Sequence, residues 1–376
     1  MQGKSMSATA LTLRRCDSFP LDLKAGPLEK RGPPTNGKHG RGKLRAKRAN
    51  RKASASIAFT LATALFAAQA LFAGVSRAED YPTHAVRIIV PFGAGGPADV
   101  AARVLGNAMQ ESLKQPFVIE NRPGAGAVIG TLDVAKSAPD GYTLLIMSNT
   151  QTANESLVPQ RKYDLMRDLV AIAPINVADL VIVVHPSVPA RTLQEFIALA
   201  RSQPGKLNYA SSGTGTPYHM AGELFKSMTG TDIVHVPYRN SGEARNGVIG
   251  GQVQMMIDSV TTMAPNVMQG QVRALATTGK ARSTVLPDVP TADEAGVKGY
   301  EATIWLGVMA PKGTPRPIID KLNAAVHDVI KRPEIVKLWA DQGATPMSMT
   351  PDEFDKFLRG DIVKWAEVVK RFPDQP

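Results

Sequence analysis

The chain has 376 residues, 43% of them hydrophobic, enough for one large or two ordinary domains with their own cores. Its formal net charge of +11 sits at one end: residues 1–78 carry 15 Lys and Arg against 3 Asp and Glu, of 44 and 33 in the whole chain, so the remainder is near neutral. That excludes a nucleic-acid-binding body, which needs a basic patch in its folded part, and because Cys16 is the one cysteine, the body has neither disulfides nor a thiolate metal site.

Residues 1–52 read as a disordered basic leader, rich in Pro, Gly, Lys and Arg and without apolar periodicity. A second reading leaves part of it, residues 1–43, untranslated, with initiation near Leu44. Residues 53–78 read as a signal peptide. An apolar run at 57–75 follows Lys47, Arg48, Arg51 and Lys52, and Ser76-Arg77-Ala78 supplies the small-x-small exit for a cut after Ala78. An uncleaved membrane anchor is the rival reading, weakened by the Ala content and by Gln69. With no cysteine near the cut, a lipoprotein anchor is excluded. The expectation is an exported chain.

After the cut, short apolar strands alternate with helices, the pattern of an α/β fold with parallel-rich sheets. Strands are expected at 86–92, 117–121 and 142–148, with helices at 97–114 and 127–136 between them. Residues 169–184 read as two strands, the second crossing between domains. Thr192 caps the next helix, with Glu195 at capping-box spacing. The unit then repeats: strands at 207–211, 232–238, 253–258 and 273–278, and helices at 217–229 and 241–249. Residues 300–311 read as a return crossing, followed by helices at 315–331, 333–342 and 351–371. Two crossings imply a discontinuous first domain, residues 79–181 and 304–376, and an inserted second domain, residues 182–303. Such a pair can hinge and close on a ligand.

Two loops carry the functional signal. Pro91-Phe92-Gly93-Ala94-Gly95-Gly96-Pro97-Ala98-Asp99 joins a strand to a helix in the first domain, and Ser211-Ser212-Gly213-Thr214-Gly215-Thr216-Pro217-Tyr218-His219 does so in the second. Glycine permits close backbone approach, and the first-turn N–H groups of the following helix attract an anion. Any strand-to-helix turn can use glycine; two such loops in matching positions favour a ligand between them. Neither loop continues as a P-loop. Gly124, Gly126 and Gly130 make a weak dinucleotide-like pattern, read here as a tight turn, and no cofactor is expected.

Other polar groups stand at strand ends. Ser148, Asn149 and Thr150 follow one strand, Tyr238 and Arg239 another, and Asp258, Ser259 and Thr261 a third. Asp258 either receives an amine or a water, or caps the next helix. A hydrolase reading built on Ser211 or Ser212 with His219 lacks the G-x-S-x-G elbow. The six histidines are never spaced i, i+3 or i+4, which argues against a metal site.

On these residues the chain closely resembles the solute-binding proteins of tripartite tricarboxylate transporters, the Bug family. The matching segments are YPTHAVRIIVPFGAGGPADVAAR, ENRPGAGAVIG, PDGYTLL, NYASSGTGTPYHMAGELF, HVPYRNSGEA with GGQVQMMID, and WLGVMAPKGTP, from about residue 81 to the end. The resemblance implies a two-domain periplasmic binding protein (type II-like), two sheets joined by two crossing strands with the ligand cleft between. It implies a periplasmic monomer without enzymatic activity, which captures a small carboxylate and delivers it to membrane permease subunits. It places ligand contacts at Phe92, Gly93, Ala94, Gly95, Gly96 and Asp99 on one side, and at Ser212, Gly213, Thr214, Gly215, Thr216 and His219 on the other. Ser148, Asn149, Tyr238 and Asp258 complete the candidate set. Alternatives are an exported α/β hydrolase acting on a small acid or ester, and a stand-alone sensory or scavenging receptor. The chain departs from the family pattern at Ala94, where Pro is usual, and at Ser241-Gly242-Glu243-Ala244-Arg245, where a Pro-Ala pair is usual.

Overall fold

The computed structural model describes residues 81–370; the leader, the signal peptide and the cut near Ala78 lie outside the described residues. Strand β1 (Val86–Val90), helix α1 (Pro97–Leu113), β2 (Phe117–Asn121), α2 (Val128–Ala135) and β3 (Thr143–Ser148) alternate as expected. Then come α3 (Asn149–Leu157), the single turn α4 (Leu165–Asp168) and the long strand β4 (Leu169–Val184). The chain continues through α5 (Leu193–Ser202), β5 (Asn208–Ser211), α6 (Pro217–Thr229), β6 (Val234–Pro237), α7 (Ser241–Ile249), β7 (Met255–Ser259), α8 (Val260–Met268) and β8 (Arg273–Thr277). It closes with β9 (Thr303–Pro311), α9 (Arg316–Ile330), α10 (Pro333–Asp341), β10 (Ala344–Pro346) and α11 (Pro351–Val369).

Strand β1 pairs in parallel with β2 and β3, and β5 in parallel with β6 and β7. The pairs between these two groups are antiparallel: β3 with β9, β9 with β4, and β4 with β7, β8 and β10. The path runs β2-β1-β3-β9-β4-β7-β5-β6. Residues 169–184, expected as two strands, are one. Pro174 has no N–H for a ladder, but the register against β9 slips between Ala171 and Ala173 and between Pro174 and Asn176, so bulges absorb the proline without ending the strand.

Strand β4 changes partners in its middle. Up to Asp179 it pairs with β9; from Leu180 it pairs with β7. The fully buried Thr278 sits at that change. Its hydroxyl oxygen accepts from the Leu180 N–H at 2.8 Å and lies 2.5 Å from the Ala302 carbonyl, so one side chain ties both crossing segments.

Both faces of each sheet are covered, and the period-2 alternation shows it. Ile88, Leu144 and Ile146 face one core, while Ile89, Leu145 and Met147 face another. Along β4, Leu180, Ile182 and Val184 join the first core and Val181 and Val183 a third. Each such aliphatic side chain removed from water contributes roughly 1.5–3 kcal/mol. Helix α1 buries Ala98, Ala101, Ala102, Leu105, Ala108 and Met109, an i, i+3, i+4 face. Val100 and Val104 flank that face half-buried.

Candidate functional site

A cavity of 530 Å³ opens where loops from the two sheets meet. Its walls come from the carboxyl ends of parallel strands, the usual ligand position in open α/β sheets. The β1–α1 and β2–α2 loops and Ser148 line one side; the β5–α6 and β6–α7 loops line the other. A larger groove of 710 Å³ runs along α11 beside Trp305 and Phe357, but no residue of the glycine-rich loops lines it.

Eight of the candidate residues line the cavity: Phe92, Gly93, Gly96, Ser148, Ser212, Gly213, Thr216 and Tyr238. The other eight stand behind or beside it. Ala94, Gly95 and Thr214 are loop residues outside the lining, with Ala94, Gly95 and Thr214 exposed. The Asp99 carboxylate accepts from the Gly95 N–H at 2.9 Å and the Asn121 amide at 3.0 Å, and pairs with Arg103 at 2.9 Å. Burial pushes its pKa up; these partners outweigh it and hold the carboxyl below its ordinary range. Asp99 therefore shapes the first loop from inside. In the second loop the Gly215 N–H donates to His219 Nδ1 at 3.2 Å, which fixes that nitrogen as unprotonated. His219 lies against His235 at 4.2 Å between ring centroids, and burial depresses the two imidazoles to about 4 and about 3.

Asn149 turns away, donating to the Thr303 carbonyl at 2.9 Å. Asp258 is fully buried beneath the cavity floor, paired with Arg245 at 3.0 Å and accepting from the Ser259 N–H at 2.9 Å. Burial raises its pKa, and Arg245 opposes the rise. The Arg245 Nη2 atom is buried with no partner among the described residues, and Arg245 does not line the cavity. Glu243, two residues earlier on the same helix, does line it, as do Arg239, Asn240 and Ser241.

The residues missed most completely were Pro123, Gly124, Ala125, Gly126 and Ala127, a whole wall of the cavity. The glycine pattern there was read as a turn. The feature that marks it is conformational: Ala125 and Ala127 hold positive φ (48° and 72°) beside Gly124 and Gly126, which do the same, a backbone that persists only where its surroundings impose it. Gly126 shows the reason. A Cβ at Gly126 would lie 2.7 Å from the Thr214 carbonyl oxygen, so this loop from the first sheet packs against the loop from the second.

Five helices, α1, α2, α3, α6 and α7, begin around the cavity, and their N-termini differ. Ser148 and Gln151 close a capping box on α3, and the Asn240 side chain accepts from the Glu243 N–H on α7. No side chain caps α1, α2 or α6; in α2 the Val128 and Ile129 N–H groups donate to the loop's own Ala125 and Gly124 carbonyls at 3.2 and 3.4 Å, while α1 and α6 start with proline after Gly96 and Thr216. The Thr216 hydroxyl, which would be the natural cap, donates instead to the Gly213 carbonyl at 2.7 Å. The unsatisfied first-turn N–H groups and the positive dipole ends are thus left at α1 and α6, one on each side.

Residues 101–373 match the family model described as the tripartite tricarboxylate transporter family receptor. The chain belongs to that receptor family. BugT of Bordetella pertussis is 40% identical over 308 residues, 81% of this chain and 94% of BugT. Among solved structures, Rpa4515 of R. palustris with adipate has a TM-score of 0.76 and 34% identity, covering 78% of this chain and 98% of its own. MatC from Rhodopseudomonas palustris with bound malate has a TM-score of 0.74 and 32% identity, covering 77% and 100%. The receptor family consists of periplasmic solute-binding proteins, not enzymes, and the expected α/β binding-protein fold is the one found, its ten strands linked in one curled mixed sheet. No described helix is long and apolar enough to cross a membrane.

Proposed function

We propose that this receptor is exported through residues 53–78, cut near Ala78, and binds a small carboxylate in the 530 Å³ cavity as a periplasmic monomer. Two domains, residues 79–181 with 304–376 and residues 182–303, close on the ligand and are presented to the permease subunits. The observation that carries the reading is the pair of uncapped helix N-termini, α1 and α6, on opposite sides of one cavity. Each favours a negative charge by roughly 0.3–1 kcal/mol at an exposed site, and more where water is excluded. Phe92, Gly93, Gly96, Ser148, Ser212, Gly213, Thr216 and Tyr238 form the contact surface, and Asp99 and His219 hold the two loops in shape. The structures of relatives holding adipate and malate support carboxylates as the class.

The test is a thermal-shift and calorimetric screen of small carboxylates. A ligand that binds the folded state alone raises stability by RT ln(1 + [L]/Kd), about 2.7 kcal/mol at a hundredfold excess over Kd. Recovery of the compound unchanged is expected. Turnover of the bound acid, or silence across the whole screen, defeats the proposal.

A further inference from the structure

Two charged side chains, Arg239 and Glu243, line the cavity, and both come from the β6–α7 segment. The walls facing them carry no charged side chain: they are glycine, alanine and proline with Phe92, Ser148 and Ile304. Arg239 is exposed and makes no hydrogen bond or ion pair among the described residues, so its guanidinium is available to a ligand carboxylate. Glu243 is the counterpart of opposite sign. Its Oε1 accepts from the Asn240 amide at 2.9 Å, and its own N–H is taken by the Asn240 Oδ1 at 2.9 Å, which holds the side chain at the start of α7. Among the described residues its Oε2 has no partner, and no cation lies within ion-pair distance.

The natural neutralising partner is committed elsewhere. Arg245, two residues on, is locked to Asp258 at 3.0 Å below the floor, with the aspartate fully buried. The cavity therefore presents an unpaired carboxylate as well as anion-attracting helix ends. A ligand bearing only carboxylates gains at α1, α6 and Arg239 and is repelled at Glu243. A ligand bearing a carboxylate and an ammonium gains at both. Within the carboxylate reading proposed above, on which this rests, we infer that the preferred ligand is an amino acid: its carboxylate goes to the loop N–H groups and Arg239, and its ammonium to the Glu243 carboxylate. Glu243 is then the residue that sets specificity between amino acids and the plain dicarboxylates seen in MatC and Rpa4515.

Ligand pairs that differ only by an ammonium isolate this claim: L-glutamate against glutarate, L-aspartate against succinate, and 4-aminobutyrate against butyrate. Calorimetry on the exported chain is expected to show at least one amino member binding about tenfold or more tighter than its plain partner. Glu243→Gln, which keeps the acceptor for Asn240, should bring that ratio to within about threefold by weakening the amino member and strengthening the plain one. Arg239→Gln should weaken both members of a pair by a similar factor. Equal or tighter binding of the plain acids, or a ratio unmoved by Glu243→Gln, overturns the inference while leaving the carboxylate receptor standing. Binding of neither series overturns both.

Discussion

Gly93 and Asn240 touch across the cavity: a Cβ at Gly93 would lie 2.5 Å from the Asn240 Cβ. The glycine thus makes room for the opposing sheet's loop as well as for a ligand. Gly93→Ala must push Asn240 aside, and Asn240 caps α7. The variant is expected to fold with near-normal stability but to bind the best carboxylate about tenfold or more weakly, a loss of about 1.4 kcal/mol. Calorimetry beside thermal melting separates the two effects; unchanged affinity would show that these loops need not meet when ligand is held.

Asp258 was expected at the ligand, yet it lies under the floor in a buried pair with Arg245. Removing one member of such a pair leaves an uncompensated charge and costs about 3–5 kcal/mol. Asp258→Ala should therefore lower the urea midpoint strongly, and Arg245→Met with Asp258→Ala should recover much of the loss. A variant of full stability with abolished ligand binding would restore Asp258 to the contact surface.

His219 and His235 make stability fall on mild acidification. Both pKa values are depressed in the fold, to about 4 and about 3. An unfolded histidine takes up its proton near the ordinary value of about 6.5. Between those values the unfolded state binds protons that the folded state refuses, so stability declines as pH drops below about 6.5 and levels off beneath the folded values. For His219 the loss is on the order of 3 kcal/mol. Urea titrations at pH 7, 6 and 5, where ordinary carboxylates stay ionised, should show the decline, and His219→Gln with His235→Gln should flatten it.

Thr278→Val keeps the shape of the side chain and removes the oxygen between Leu180 and Ala302. The Leu180 N–H then loses its partner in a buried position, at a cost of about 1–3 kcal/mol. The expected result is a lower unfolding midpoint and, because both crossing segments are loosened, faster ligand release in stopped-flow measurements. A neutral result on both counts would mean that the neighbouring strands hold the crossing without it.

Much of the fold was legible because its strands are apolar runs bounded by glycine, and its helices start at Thr192, Pro217 and Pro97. What escaped has physical reasons. Helix α3 has the sequence NTQTANESL, with no apolar stripe, yet Asn149 to Asn154 are buried. Several of its polar groups bond to distant partners: the Thr152 hydroxyl to Asp361, the Gln151 amide to Thr131 and the Asn154 amide to the Gly126 carbonyl. No local pattern announces such bonds. Residues 169–184 read as two strands, and only the register against β9 shows how bulges accommodate Pro174 within one. At the site, glycine loops announced a ligand, but which glycines face it and which face the opposite wall depends on how the loops meet.

The uninterrupted run of β4 has a consequence for anyone who would dissect the molecule. Its last five residues, Leu180 to Val184, are flanked by β7 on one side and β8 on the other. A fragment beginning at residue 182 loses the first two of these residues, Leu180 and Val181, and with them the pairs to Ser259 and Asp258 of β7 and to Thr277 of β8. One end of each neighbour would be left with an open edge, which invites pairing with other chains. The proposed second domain is in this sense not a portable module: it borrows its central strand, and grafting it elsewhere means carrying the shared beam from at least Asp179 onward.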